Sequence, residues 1–151
     1  MIYAQPKPQK TPKQKRVKSI KTRVVRSLPA LKKRTQTIVN AYIRLRDTGY
    51  PCMACKKYCS PGQAGHYISQ GQHGALRYNL DNIWKCCVAC NLFKHGNLIE
   101  YRIHLVEKIG EKRVKYLEDH RHDTKKWTRE ELEDMQKILH EQLKEISGLE
   151  D

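Results

Sequence analysis

The fold is decided by two stretches, Cys52-Met53-Ala54-Cys55 and Cys87-Val88-Ala89-Cys90, which are separated by 31 residues. A Cys-x-x-Cys turn can place two sulfur atoms on one metal ion, so two such turns supply the four ligands of a tetrahedral zinc. A closed Cys₄ site has no open position, and its zinc would hold the fold without doing chemistry. The pairs therefore predict a structural Zn²⁺; the alternatives are a redox dithiol and unrelated cysteines.

The other two cysteines leave the ligand assignment partly open. Cys86 could compete with Cys87, but only Cys87 keeps the two-residue spacing to Cys90. Cys59 is expected to be a free thiol. No apolar run near the start makes a signal peptide, and no stretch approaches the roughly 20 apolar residues of a membrane span. We therefore expect a cytoplasmic protein without a membrane partner, in whose reducing surroundings disulfides are disfavoured.

Charge is distributed unevenly along the chain. Residues 1–46 contain 14 Lys and Arg and no acidic residue, whereas residues 47–151 contain 16 of each sign. A basic segment beside a nearly neutral body favours a nucleic-acid partner, and the alternative is a solubilising or ribosome-type extension. The residues expected to contact DNA are Lys15, Arg16, Lys18, Lys21, Arg23, Arg26, Lys32, Lys33, Arg34, Arg77 and Lys94.

The patterning predicts an α+β chain that is mostly helical. Residues 1–28 are rich in Lys, Gln and Pro and are predicted to be a disordered DNA-binding arm. Residues 29–110 form the predicted zinc-stapled core with a leading helix, and residues 111–151 form a C-terminal helical extension. The amphipathic stripes of that extension would pack on the zinc core or on a second subunit.

Within the core, the pattern predicts a loose β-hairpin followed by a helix. The strands are expected at residues 66–69 and 76–84, because turn-forming residues flank both segments. The second cysteine pair should open a helix that continues to Lys94. Further helices are predicted at residues 97–109, at 111–121, and after Thr128, where Thr-x-x-Glu forms a capping box.

Three polar residues between and after the cysteines could carry chemistry. Phosphodiester hydrolysis needs a base that activates water and a divalent cation that stabilises the developing charge. His66 is the candidate base, Asn91 the candidate metal ligand, and Asn82 could fix the geometry of the hairpin. The alternatives are a loop histidine without a role, a helix-capping Asn91 and a turn asparagine at position 82.

These residues resemble a known family when they are taken together. Ala64-Gly65-His66-Tyr67, Leu76-Arg77-Tyr78-Asn79, Asn82 and Cys87-x-x-Cys90-Asn91 are similar to the His-Me finger (HNH-like, ββα-metal) nucleases. The closer resemblance is to the phage NinG/Rap recombination endonucleases, and it extends over residues 28–145 through the run 97–110 and Lys126-Trp127-Thr128. The resemblance implies an endonuclease that requires Mg²⁺ or Mn²⁺ and cuts branched DNA such as Holliday junctions and D-loops. For a phage-encoded protein, the compartment would be the cytoplasm of the host cell.

One position departs from the common pattern. Many HNH enzymes carry an acidic, metal-binding residue directly before the base histidine, and Gly65 stands at that position here. Mg²⁺ keeps several waters and can be held by few protein ligands, so Asn91 could suffice. His95, four residues after Asn91, could be a second ligand; the alternative is a surface histidine that contacts phosphate.

Two other functions remain open at this point. A non-catalytic zinc-finger DNA-binding protein could use the same scaffold, and the missing carboxylate favours it. An HNH nuclease that cuts ordinary duplex DNA is the second. Paired cuts at a junction would favour a homodimer.

Overall fold

A computed structural model describes residues 26–71 and 74–148 of the chain. The predicted arm at residues 1–28 lies almost wholly outside this part. The DNA contacts that were predicted there, and that also lie outside it, are Lys15, Arg16, Lys18, Lys21 and Arg23.

The described chain is mostly helical and has one small sheet, as the sequence predicts. Proline at the start of the first helix suits a position whose N–H has no partner within the helix. The main elements are α1 (Leu28–Arg46), β1 (Gln63–His66), β2 (Ile83–Cys86), α2 (Leu98–Ile109), α3 (Glu111–Asp119) and α4 (Arg129–Ser147). Two short helical segments are a 3₁₀ turn at Leu80–Asn82 and a π-helical turn at Ala89–Phe93.

The two strands form an antiparallel hairpin, but not at the predicted positions 66–69 and 76–84. His66 ends β1 and pairs with Ile83. Beyond it, the Asn82 side chain accepts a hydrogen bond from Ile68 N (2.7 Å) and donates one to Ile68 O (2.9 Å). At Ile68, this side chain therefore makes the hydrogen bonds that the backbone of a partner strand would otherwise make. Asn79 Oδ1 accepts from the second residue after it, which turns the chain before β2 begins.

The hairpin separates two hydrophobic cores, because successive residues of a strand face opposite sides. Ile83 of β2 packs into a core made by α1 and α4. Cys86, on the other face, packs into a core made by the cysteine turns, α2 and α3.

The core of α1 and α4 is mainly aliphatic. Val39, Ile43 and Leu132 are fully buried in it, and the capping box predicted at Thr128 is present at the start of α4. Of the predicted α4 stripe, Ile138 remains 55% exposed. The C-terminal helices therefore divide between the two cores, since α4 packs on α1 and α3 packs on α2.

No helix in the described part of the chain is long and apolar enough to cross a membrane.

Candidate functional site

The four predicted zinc ligands meet in one group. The Sγ atoms of Cys52, Cys55, Cys87 and Cys90 all lie within 4.8 Å of one another, and those of Cys55 and Cys87 are 3.8 Å apart. Tetrahedral ligands at a Zn–S distance of about 2.3 Å are separated by about 3.8 Å. The donor set and its spacing therefore fit a metal ion such as zinc.

Backbone hydrogen bonds shape the first cysteine turn and attach it to the hairpin. Lys56 N donates to Cys52 O and Cys52 N donates to Lys57 O, both at 2.9 Å, which closes the turn. Met53 N donates to Lys85 O at 2.8 Å, at the end of β2. The first cysteine turn is thereby fixed beside the strand that leads directly to the second.

The structure selects Cys87 over Cys86 as the ligand. Cys86 is buried outside the group of four, and its hydrogen bond to Cys52 is the main reason that the pKa of Cys52 falls to about 4. The same hydrogen bond and burial raise the pKa of Cys86, so Cys86 keeps its proton and donates to the Cys52 thiolate. Cys59 also lies outside the group, and burial raises its pKa.

His66 has one ring nitrogen fixed by the backbone. Its Nε2 lies 3.0 Å from Arg77 O. A carbonyl oxygen can only accept, so Nε2 carries the proton and Nδ1 keeps its lone pair. Burial lowers the pKa of His66 below its ordinary value of 6.5, so the ring is neutral at pH 7. The tautomer and the protonation state are those that a general base requires.

Asn91 lies against the strand residue that precedes His66. It occupies the π-helical turn, and its Nδ2 donates to Gln63 Oε1 at 2.8 Å. A Cβ atom added to Gly65 would lie 3.1 Å from Asn91 Oδ1 and 2.7 Å from Cys86 Sγ. The fold thus brings Asn91, across 24 intervening residues, to the strand that ends at the candidate base, with its amide on the face of Gly65 and Gln63. It also explains Gly65, because Asn91 and Cys86 occupy the space that a carboxylate would need.

Gln63 is a site residue that the sequence analysis missed. It shares a strand face with Gly65, and its amide is the partner of Asn91. Had the strand been placed at Gln63–His66, the two-residue period would have put Gln63 on the side of Gly65.

The side chain of Asn82 stabilises the hairpin through buried hydrogen bonds. It is fully buried and, besides its two bonds to Ile68, donates from Nδ2 to Leu76 O at 3.1 Å. Three hydrogen bonds satisfy this amide, so it joins the strand end to the segment that contains Arg77.

His95 does not share a helix face with Asn91, despite the spacing of four residues. The π-helical turn ends at Phe93, and His95 has a left-handed φ of 48° and is exposed. Its role as a metal ligand stays a prediction. Across residues 26–71 and 74–148, the four cysteines are the one group of three or more His, Cys, Asp or Glu residues that could bind a metal.

Three of the predicted DNA contacts line one groove beside α1. Lys32, Lys33 and Arg77 border a cavity of about 390 Å³, and no Asp or Glu of the described chain lines it. Arg77 Nε donates to Gln36 Oε1 at 3.2 Å, which orients the guanidinium. Arg34 instead donates to Gln136 Oε1 of α4 at 3.3 Å. Lys94 and Arg26 are exposed.

Comparison with known proteins places the chain among phage proteins. The family model described as Bacteriophage Lambda NinG protein matches residues 3–150. Protein ninG of Escherichia phage lambda is 39% identical over 115 residues, which are 76% of this chain and 56% of that protein. Protein ninG of Salmonella phage P22 gives the same identity and coverage, and that of Escherichia phage 933W is 38% identical, with 76% and 57% covered.

The matched region spans just over half the length of these relatives. No solved structure matches the chain. With 39% identity over three quarters of the chain and a family match from residue 3 to residue 150, this protein belongs to the NinG family.

Proposed function

We propose that this protein is a metal-dependent endonuclease that cuts branched DNA intermediates of recombination, such as Holliday junctions and D-loops. The observation that carries the proposal is the neutral His66 ring. Its Nε2 is fixed on Arg77 O, and Asn91 lies against the preceding residue, Gly65. A fixed base and an amide oxygen held against the same strand suit phosphodiester hydrolysis.

In this reaction His66 Nδ1 removes a proton from the attacking water, and Nε2 keeps its bond to the Arg77 carbonyl. That bond orients the ring and stabilises the imidazolium that forms. Asn82 joins Ile68, just after β1, to Leu76, next to Arg77, so the distance between ring and carbonyl is set before the substrate binds. The chain thereby orients the base without an acidic partner for His66.

An amide oxygen beside Gly65 suits a weakly held Mg²⁺ or Mn²⁺. Asn91 Nδ2 donates to Gln63 Oε1, so Asn91 Oδ1 is the neutral oxygen that would hold the ion. Oxygen ligands are those that Mg²⁺ takes, with waters and substrate phosphate completing the octahedron. Such an ion would stabilise the negative charge that develops on the phosphate.

Arg77 links the proposed base to the proposed path of the DNA. Its carbonyl holds His66, and its side chain lines the basic groove with Lys32 and Lys33. A phosphate backbone in that groove would therefore lie close to the base. Contacts of this kind recognise the backbone and not the base sequence, which suits selection of DNA by shape.

A zinc-dependent DNA-binding protein without activity is the second candidate. Gly65 favours it, because the close approach of Cys86 Sγ excludes a carboxylate at that position.

The test is a cleavage assay with three substrates. Purified protein is incubated with a four-way junction, a nicked duplex and a linear duplex in Mg²⁺ or Mn²⁺, beside His66→Ala and the control His140→Ala, which changes an exposed histidine of α4. We expect the junction to be cut best, His66→Ala to be about 100- to 10,000-fold slower, and the control to match wild type.

Each other outcome has a definite meaning. If wild type cuts nothing, the protein is the binding protein and the nuclease proposal fails. If His66→Ala cuts at the wild-type rate, His66 is not the base. If linear duplex is cut as fast as the junction, the selectivity for branched DNA fails.

The pH dependence of cleavage gives a further check. Because burial lowers the pKa of His66, the base form persists below pH 6.5. We expect the single-turnover rate to fall to half of its plateau value only below pH 6.5. A rate that already halves above pH 6.5 would contradict the assignment of this ring as the base.

A further inference from the structure

The single phenylalanine of the chain is on the surface. Phe93 is 77% exposed, and its neighbour Leu92 is 57% exposed. Both belong to the π-helical turn that carries Asn91. Exposed apolar side chains that adjoin one another usually mark a surface that another molecule covers.

The backbone holds this turn in one conformation. Lys94 N donates to Ala89 O at 3.0 Å, and Gly96 N donates to the carbonyl of Cys90, a cysteine of the metal group, at 2.8 Å. π-helical turns are common at functional sites, where the surrounding structure keeps the backbone in this unusual conformation. Three consecutive residues after the turn have left-handed φ angles: His95 (48°), Gly96 (91°) and Asn97 (50°). Phe93 is therefore presented on a rigid support.

Charge around Phe93 favours an anionic partner. Lys94 and His95 follow it directly, and both are exposed. No acidic residue occurs between Asp81 and Glu100. An apolar ring with a lysine and a histidine beside it suits a nucleobase whose phosphates lie nearby.

We propose that Phe93, supported by Leu92, stacks on an unstacked nucleobase at the branch point of DNA, directly beside the site of Asn91. This inference rests on the proposed function and adds the means by which branched DNA is recognised. A linear duplex keeps its bases stacked and offers no such face, whereas a branch point interrupts the stacking. Aromatic side chains stack on any base, so the contact selects structure without reading sequence.

A second copy of the chain is the other partner that could cover this surface. Ile99 (80% exposed) and Ile103 (50% exposed) are further exposed apolar residues, on α2. Lys94 next to Phe93 favours nucleic acid over an apolar protein face. The experiment includes the protein partner as an outcome.

The test uses a four-way junction with 2-aminopurine at the branch point, and Ca²⁺ in place of Mg²⁺ so that binding is measured without cleavage. We expect wild type to change the fluorescence of the probe, and Phe93→Ala to abolish that change and weaken junction binding about tenfold. Phe93→Trp should retain both, because its larger ring still stacks. Linear duplex binding should change less than about twofold.

Tyr116→Ala is the matched control, because Tyr116 is an exposed aromatic (51%) on α3. It should behave as wild type. Zinc content and circular dichroism of Phe93→Ala should equal those of wild type, since an exposed side chain contributes little to folding.

Two results would overturn the inference. One is an unchanged probe signal and junction affinity in Phe93→Ala. The other is a fall in sedimentation mass from dimer to monomer in that variant, which would make the surface a protein interface. Absence of cleavage by wild type sinks the nuclease proposal alone, because these readouts need no cleavage.

Discussion

The two cores on either side of the hairpin are stabilised in different ways. The core between α1 and α4 buries aliphatic side chains such as Val39, Ile43 and Leu132 completely. The other core includes the four-cysteine group together with Tyr101 and Leu105 of α2. Burial of apolar area stabilises the first core, whereas a metal ion held among the sulfur atoms would add to the stability of the second.

Part of the candidate site belongs to the core that contains the four-cysteine group. Asn91 follows Cys90 in the same turn, and Tyr101 of that core donates from its hydroxyl to Gly65 O at 3.0 Å. His66 ends the strand between the two cores. The position of Asn91 should therefore respond to loss of metal much more than to weakening of the α1 and α4 core.

The largest effect is expected for Cys90→Ser. Removing one thiolate should abolish tight metal binding, and the apparent free energy of a structural zinc is about 10–16 kcal/mol. We expect loss of bound zinc, loss of any cleavage, and loss of hydrogen-exchange protection in α2 and α3, while α1 and α4 keep part of theirs. Equal loss of protection in all four helices would show that the two cores unfold as one.

Leu132→Ala should show the opposite pattern. A fully buried leucine in the aliphatic core costs about 2–5 kcal/mol when it is truncated, because a cavity remains. Denaturant unfolding should show that loss with zinc stoichiometry unchanged. Ile138→Ala, which changes a side chain that is 55% exposed, is the control and should cost much less. Loss of zinc in Leu132→Ala would refute the independence of the cores.

Gly65→Ala tests the close approach at the site. The new Cβ would lie 2.7 Å from Cys86 Sγ, so the neighbours must shift, at a cost of about 1–3 kcal/mol in unfolding free energy. Cys86→Ala removes the nearest atom and should recover part of that loss in the double variant. Additive losses in a double-mutant cycle would show that this contact does not explain the glycine.

Thr128→Ala should have the smallest effect. Its side chain accepts from Glu131 N and forms the capping box of α4, and such a cap contributes about 1 kcal/mol. Thermal unfolding should show a small decrease in Tm, with zinc content and DNA binding unchanged. A loss beyond about 2 kcal/mol would mean that this cap also supports the packing of α4 on α1.

Local patterns predicted the helices better than the strands. The helices predicted at residues 97–109 and 111–121 match α2 and α3 closely, and α4 begins directly after Thr128 as predicted, since each pattern lies within a few turns of one segment. The strands were misplaced because side chains end them. Asn82 closes the hairpin over Ile68 through bonds between residues 14 positions apart. The alternation of apolar and polar residues within either strand segment cannot predict such a long-range contact.

The sequence by itself determined the metal group, the capping box at Thr128 and the uneven charge, because each depends on residue type and short spacing. Tertiary structure alone decided the tautomer of His66, through the carbonyl of Arg77. The tertiary structure alone also decided that Asn91 bonds to Gln63 and that Gly65 packs against Cys86. Those contacts join segments distant along the chain, and the physical reason they form is that the hairpin and the cysteine group fold those segments onto one another.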